Sequence, residues 1–162
     1  MLKLKVLLKY WLPVLAWMGL IYFASRDSRS LYHSARIIQP LMQPGTHHST
    51  LQATVIFARK CAHSAEFAVL AVLLWFALRA ISGQRTGWSW RLAAYAMLGV
   101  IVCGIADEAH QMYVPTRQAT VMDVVYDGVG GATGLLALWA FGRWRKWWTP
   151  NPVSQAVSRW LK

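Results

Sequence analysis

The chain of 162 residues combines an apolar composition with a large excess of positive charge. Hydrophobic residues make up 56% and charged residues 14%, and 17 lysines and arginines against 6 acids give a formal charge of +11. This composition excludes a water-soluble globular domain, in which charged residues make up about 25%. The ten tryptophans and the long apolar runs indicate that the positive charge faces an anionic bilayer rather than a nucleic acid.

Four segments are long and apolar enough to cross a bilayer, whose hydrocarbon core requires about 20 helical residues. The predicted spans are residues 6–24, 53–78, 92–109 and 123–141. Only Lys9 and Pro13 interrupt the first span, and membrane helices tolerate proline near their ends. Residues 26–52 contain several Ser, Pro, Gly and His residues, which predicts a loop.

The basic residues that flank the spans predict the orientation of the chain. With the amino terminus in the cytoplasm, eleven of the 17 lysines and arginines flank the cytoplasmic ends and six flank the opposite ends. The positive-inside rule therefore favours a plasma membrane protein with both termini in the cytoplasm. A cleaved signal peptide is the alternative for the first span, because a Lys-rich start and an apolar run precede the small pair Ala24-Ser25.

The carboxyl end predicts attachment to the membrane surface. Residues 143–148, Arg-Trp-Arg-Lys-Trp-Trp, form a basic and aromatic belt. Apolar residues recur at helical spacing over 153–161, as in an interfacial amphipathic helix, and a frayed tail is the alternative. The sequence thus predicts an all-α polytopic membrane protein, with a four-span domain over residues 1–142 and a cytoplasmic tail over 143–162.

Five of the six acidic residues lie in or beside predicted spans. They are Glu66 in the second span, Asp107 and Glu108 at the end of the third, and Asp123 and Asp127 at the start of the fourth. An ionisable group at the middle of a bilayer costs at least about 2.5 kcal/mol. Five carboxylates at the extracytoplasmic ends of the spans therefore predict polar partners or a function.

Helical spacing predicts which polar groups meet. Three shared faces hold the candidates: Lys60, His63 and Glu66 in the second span, Asp107, His110 and Gln111 in the third, and Asp123, Tyr126 and Asp127 in the fourth. Gly130 and Gly134 form a Gly-x-x-x-Gly pair that lets another helix approach closely. The short connection between the third and fourth spans predicts antiparallel neighbours, with Arg117 over the carboxylates.

These motifs resemble a known family of small bacterial membrane proteins, the VanZ-like family. The resemblance rests on Lys60-x-x-His63-x-x-Glu66-Phe67, Asp107-Glu108-x-His110-Gln111, Pro115-Thr116-Arg117, and Asp123 followed by the Gly-rich fourth span. It implies a four-span helical fold in the bacterial inner membrane. For the founding member it implies a link to low-level resistance to teicoplanin, a glycopeptide that acts outside the membrane. Phe67, Thr116 and Asp127 stand where the family usually has Tyr, Gly and Asn.

The first functional hypothesis is an intramembrane enzyme that acts on a lipid headgroup or on a polyprenyl-phosphate type of cell-envelope intermediate. Glu66 or Glu108 would be the acid or base, and His63 or His110 would carry the proton. Asp107 and Asp123 would orient these groups. Candidate substrate- and phosphate-binding residues are Lys60, Arg117, Gln111, Arg59 and Asp127.

Two alternatives to an enzyme stay open on the sequence. One is a non-catalytic module that binds an envelope lipid or the antibiotic, or that moves an ion or a lipid. The other is a buried polar network that only fixes helix packing. A divalent metal such as Zn, Mn or Mg is compatible with each function, since the histidines and carboxylates supply suitable ligands, but the spacing is not the His-Glu-x-x-His pattern. The cofactor is therefore left open.

Overall fold

A computed structural model describes residues 2–26, 30–43, 45–84, 87–114 and 120–148. Within these ranges the chain forms α-helices and no strands. The helices are α1 Leu2–Val6, α2 Leu12–Ser25, α3 Ser30–Ile38, α4 His48–Ser82, α5 Trp90–Gln111 and α6 Val121–Trp144. A π-helical turn, Leu7–Trp11, joins α1 to α2, and a 3₁₀ turn, Gln39–Leu41, follows α3.

Among the residues that the structure describes, four helical segments are long and apolar enough to span a membrane, which confirms the predicted all-α polytopic fold. They are Leu4–Ser25, His48–Ser82, Trp90–Gln111 and Val121–Trp144. Large apolar side chains such as Phe23, Leu98 and Val129 are exposed on their outer faces, as expected for helices that contact lipid. The 35 residues of α4 measure about 52 Å at 1.5 Å per residue, so this helix extends beyond a hydrocarbon core of about 30 Å.

The prediction of a loop over residues 26–52 was wrong for its central part. Helix α3 occupies Ser30–Ile38, and α4 begins at His48 rather than near residue 53. Residues 30–38 contain no Gly or Pro, and α3 packs against α4. Its half-buried Ala35 and Ile38 lie three residues apart, so they share the face opposite exposed side chains. Tertiary contact thus stabilises a helix too short to be stable alone.

The first span changes helical geometry just before its proline. The π-helical turn Leu7–Trp11 ends two residues before Pro13, whose ring cannot donate a backbone hydrogen bond and crowds the carbonyl four residues earlier. A wider turn relieves that crowding, and the helix continues through α2. Lys9, which lies in this turn, is exposed.

Helix α4 is the central element, and it contacts α6, α5, α3 and the first span. A Cβ atom on Gly130 would overlap the backbone of Ser64, and one on Gly134 would overlap the backbone of Ala68. The two glycines therefore let α6 approach the α4 backbone, as the Gly-x-x-x-Gly spacing predicts. This close approach lies within one chain.

Aromatic residues fill the end of the bundle that holds the carboxyl ends of α4 and α6. The fully buried Trp75 stacks on Trp88 with ring centroids 4.7 Å apart. Trp148 turns back from the end of α6 against both rings, and its indole Nε1 donates to the Trp139 carbonyl at 2.9 Å. Of the predicted interfacial belt, Trp144 and Trp147 are exposed whereas Trp148 points inward. The predicted amphipathic helix over 153–161 lies outside the described residues.

Candidate functional site

A polar cluster occupies the opposite end of the bundle, where α2 and α5 end and α6 begins. We define the polar cluster as the side chains of Ser25, Lys60, His63, Glu66, Asp107, Glu108, Gln111, Thr120, Asp123 and Asp127. Helices α4 and α6 run parallel and α5 runs antiparallel to both, so residues distant in sequence reach the same depth. Asp107, Glu108, Gln111 and Asp127 are buried.

His63 lies at the centre of the polar cluster between two carboxylates. Its Nδ1 is 2.7 Å from Asp127 Oδ1, and its Nε2 is 3.3 Å from Asp107 Oδ2. The His63 ring also packs on Phe67, with ring centroids 5.1 Å apart. An imidazole held on both sides by carboxylates has a fixed ring orientation, and its two nitrogens can exchange protons with acidic neighbours.

Asp107 contacts polar side chains from three helices. Ser25 Oγ at the end of α2 donates to Asp107 Oδ2 at 2.9 Å, and Gln111 Nε2 donates to the same oxygen at 2.6 Å. With His63 from α4, these contacts join the first, second and third spans. Gln111, a predicted substrate-binding residue, lies buried against Asp107.

Lys60 forms the more exposed part of the polar cluster. Its Nζ lies 2.5 Å from Asp123 Oδ1 and 4.4 Å from the centre of the Tyr126 ring. Thr120 Oγ1 donates to Asp123 Oδ2 at 2.9 Å, and the Thr120 backbone N donates to Glu108 Oε2 at 2.9 Å. Glu108 therefore ties the end of α5 to the start of α6.

Seven buried side-chain polar atoms have no hydrogen-bond partner in the part of the chain that the structure describes. Three are the indole nitrogens of Trp11, Trp75 and Trp88, and four lie in or beside the polar cluster: His63 Nε2, Glu66 Oε2, His110 Nε2 and Asp127 Oδ2. Glu66 lies three residues after His63 on the same face of α4, so it belongs to the same cluster. Buried polar atoms are normally satisfied in folded proteins, and four exceptions on ionisable side chains at one end of the bundle point to a function.

An apolar cavity of about 360 Å³ adjoins the polar cluster between α2, α4 and α5. Phe67, Leu70 and Val102 contribute to its apolar walls, and Asp107 and His110 are its polar lining residues. The His110 ring lies 4.5 Å from the ring of Tyr22, centre to centre. The site therefore combines a polar cluster with an apolar cavity.

The structure brings most of the predicted site residues together. Those in the polar cluster or on the adjoining cavity wall are Lys60, His63, Glu66, Asp107, Glu108, His110, Gln111, Asp123 and Asp127. Arg59 is half-buried and lies about 100° around α4 from Lys60. Arg117 lies outside the described residues.

Sequence reasoning missed Ser25 and Thr120. Ser25 belongs to the pair Ala24-Ser25, which the sequence presents as a small-residue pair at the end of a span. Thr120 precedes α6 and is followed three residues later by Asp123, a spacing typical of a helix amino terminus. That spacing was a signal that could have identified Thr120.

Metal binding was left open by the sequence. Across the described ranges, no group of three or more His, Cys, Asp or Glu side chains is arranged to hold a metal ion.

The fold and the polar cluster define a multi-pass α-helical membrane protein with a buried ionisable site. A family model described as VanZ/LLP1 matches residues 10–142, which is most of the chain. The chain belongs to this family, as its motifs predict. Comparison with curated proteins and with solved structures gave no match.

Proposed function

We propose that this protein binds the phosphorylated headgroup of a membrane lipid at the polar cluster and catalyses acid/base chemistry on it. In this proposal the cluster faces the extracytoplasmic side of the bacterial inner membrane, where polyprenyl-phosphate intermediates of the cell envelope are accessible. A change in that lipid pool would connect the protein to glycopeptide susceptibility, the link that its family resemblance implies. The observation that carries the proposal is His63, whose two ring nitrogens contact Asp127 and Asp107.

Proton transfer is the chemistry that this arrangement supports. His63 would accept a proton from an attacking water or hydroxyl, or donate one to a leaving oxygen, while Asp107 and Asp127 hold its ring. Glu66 lies one turn deeper on the same helix face and supplies a second carboxyl. A network that served only packing would satisfy its members, whereas Glu66 Oε2 and Asp127 Oδ2 have no hydrogen-bond partner within the described ranges.

A phosphate would compete with the acidic side chains of the polar cluster for contact with its basic side chains. The acids are Glu66, Asp107, Glu108, Asp123 and Asp127, whereas the bases are Lys60 and His63. Lys60 contacts Asp123 at 2.5 Å, so a phosphate would have to displace that carboxylate from the ammonium group. Arg59 and Arg117 are the further bases that we assign to the headgroup.

The test measures release of inorganic phosphate or transfer of the headgroup by purified protein in lipid nanodiscs. Undecaprenyl phosphate, undecaprenyl pyrophosphate and phosphatidic acid are the substrates to compare. We expect His63→Gln to lower turnover by about 10²- to 10⁴-fold, the usual contribution of a general acid or base. His48→Gln is the matched control, because His48 is exposed at the start of the same helix. Equal turnover by His63→Gln and the wild type would overturn the proposal.

The Glu108→Gln variant distinguishes an enzyme from a module that binds lipid without catalysis. The Glu108 carboxyl accepts from the Thr120 backbone N, and a glutamine side-chain oxygen can accept the same hydrogen bond. If Glu108 transfers a proton, we expect the variant to retain lipid affinity and to lose turnover. Unchanged turnover would exclude Glu108 as the acid or base. Retained affinity for a lipid that neither protein turns over would favour the non-catalytic module.

A further inference from the structure

The apolar cavity offers a site for the hydrophobic part of a lipid. We infer that it takes the single hydrocarbon chain of an amphiphile, entering laterally between the first and third spans, with the headgroup at the end marked by Asp107 and His110. This inference deepens the proposed function, because it names the part of the lipid that lies beside the polar cluster.

The walls of the cavity match a hydrocarbon chain. Met18 and Ile21 from α2, Phe67 and Leu70 from α4, and Val102 and Ala106 from α5 supply apolar surface. The volume of about 360 Å³ lies within the range of about 300–1,000 Å³ usual for ligand pockets. A volume of this size lined by apolar side chains favours hydrocarbon over water.

Entry from the bilayer is consistent with the exposure of two wall residues. Met18 is 37% exposed and Val102 is 57% exposed, and both lie in membrane-length spans. Exposed apolar side chains at these positions contact lipid, so the cavity borders the hydrocarbon of the bilayer. A chain can therefore enter from the side without crossing the polar cluster.

The polar end of the cavity determines the orientation in which an amphiphile would bind. Asp107 lines the cavity and contacts His63, which connects the cavity directly to the polar cluster. His110 also lines the cavity, and its buried Nε2 has no hydrogen-bond partner within the described ranges. This nitrogen can donate to or accept from a headgroup atom, so the methyl end of the chain would lie towards Phe67 and Leu70.

The native cysteines provide a test that does not depend on activity. Cys103 lines the cavity and is half-buried, whereas Cys61 is exposed and is not among the lining residues. Both thiols would be modified with methyl methanethiosulfonate in digitonin, whose rigid rings do not imitate an alkyl chain, and their rates followed by mass spectrometry. The probes are dodecyl phosphate, dodecanol and inorganic phosphate.

We expect dodecyl phosphate to protect Cys103 and not Cys61. At about ten times its Kd it should slow Cys103 modification about tenfold, because the unliganded fraction falls in that proportion. Inorganic phosphate should give no protection. In Ala106→Phe, which fills the cavity, the protection by dodecyl phosphate should be lost. Equal protection of both thiols, or no protection of the wild-type Cys103 by either alkyl probe, would overturn the inference.

The same probes separate this inference from the proposed function. Protection by dodecanol as strong as that by dodecyl phosphate would support the chain site and contradict a phosphate contact. Protection of Cys103 without turnover of any lipid phosphate would support the chain site and contradict the catalytic proposal. Turnover without protection would contradict the chain site alone.

Discussion

His63 is the residue on which the polar cluster depends. Asp107 and Asp127 lie on opposite sides of its imidazole, and each comes from a different helix. Removing one member of a buried ion pair costs about 3–5 kcal/mol, because the remaining charge keeps its desolvation penalty without its partner. The same contacts that would orient His63 for proton transfer therefore also stabilise the packing of α4, α5 and α6.

Asp127 allows these two effects to be separated. Asp127→Leu removes the acceptor of His63 Nδ1, and we expect it to lower the free energy of unfolding by about 3–5 kcal/mol. Asp127→Asn keeps an oxygen that can accept the same hydrogen bond and should cost less. Unfolding in detergent, followed by circular dichroism, measures both. Equal losses in the two variants would contradict a role for this hydrogen bond.

At the scale of elements, the parallel packing of α4 and α6 determines which side chains meet. Gly130 contacts the backbone near Ser64, and Gly134 contacts the backbone near Ala68, so the two helices keep a constant register. Nearer the amino ends of both helices, the same register brings Lys60 to Asp123 and His63 to Asp127. The glycines therefore position the polar cluster without belonging to it.

Gly134→Ala should disturb both packing and the polar cluster. A Cβ atom there would overlap the Ala68 backbone, and overpacking of this kind typically costs about 1–3 kcal/mol. We expect lower stability to unfolding in detergent together with reduced lipid turnover. Gly128→Ala on the same helix is the control, because a Cβ atom at Gly128 meets open space. A Gly134→Ala protein as stable as Gly128→Ala would contradict this account.

At the scale of the whole molecule, the two ends of the bundle differ in chemistry. One end holds the polar cluster, and the other holds the packed rings of Trp75, Trp88 and Trp148 with Arg79 over two of them. Basic residues flanking the spans are more numerous towards the aromatic end, which by the positive-inside rule would be the cytoplasmic one.

Reporter fusions test that orientation. We expect green fluorescent protein to fluoresce, and alkaline phosphatase to stay inactive, when fused after Lys162 or after residue 84. A fusion after Gly45, in the connection before α4, should show active alkaline phosphatase and no fluorescence. The reverse pattern would place the polar cluster on the cytoplasmic side and remove extracytoplasmic lipids as its substrates.

The sequence predicted which membrane spans exist better than it predicted where the helices begin and end. The four spans could be recognised because an apolar run of sufficient length has few alternatives to a membrane helix. Helix α3 was missed because its stability comes from contact with α4, which local composition does not reveal. The inward turn of Trp148 was missed for a similar reason, since a basic and aromatic run looks the same whether its rings face lipid or the bundle.

The sequence by itself determined that this chain belongs to the VanZ/LLP1 family and carries four membrane-length apolar segments, with five of its six acids in or beside them. Hydrophobic length and helical periodicity are local properties, so they can be read along the chain. Only the tertiary structure decided that His63 meets Asp107 and Asp127, that Ser25 joins them, and that an apolar cavity adjoins them. Such contacts depend on the register and rotation of packed helices, which are set by side chains distant in sequence.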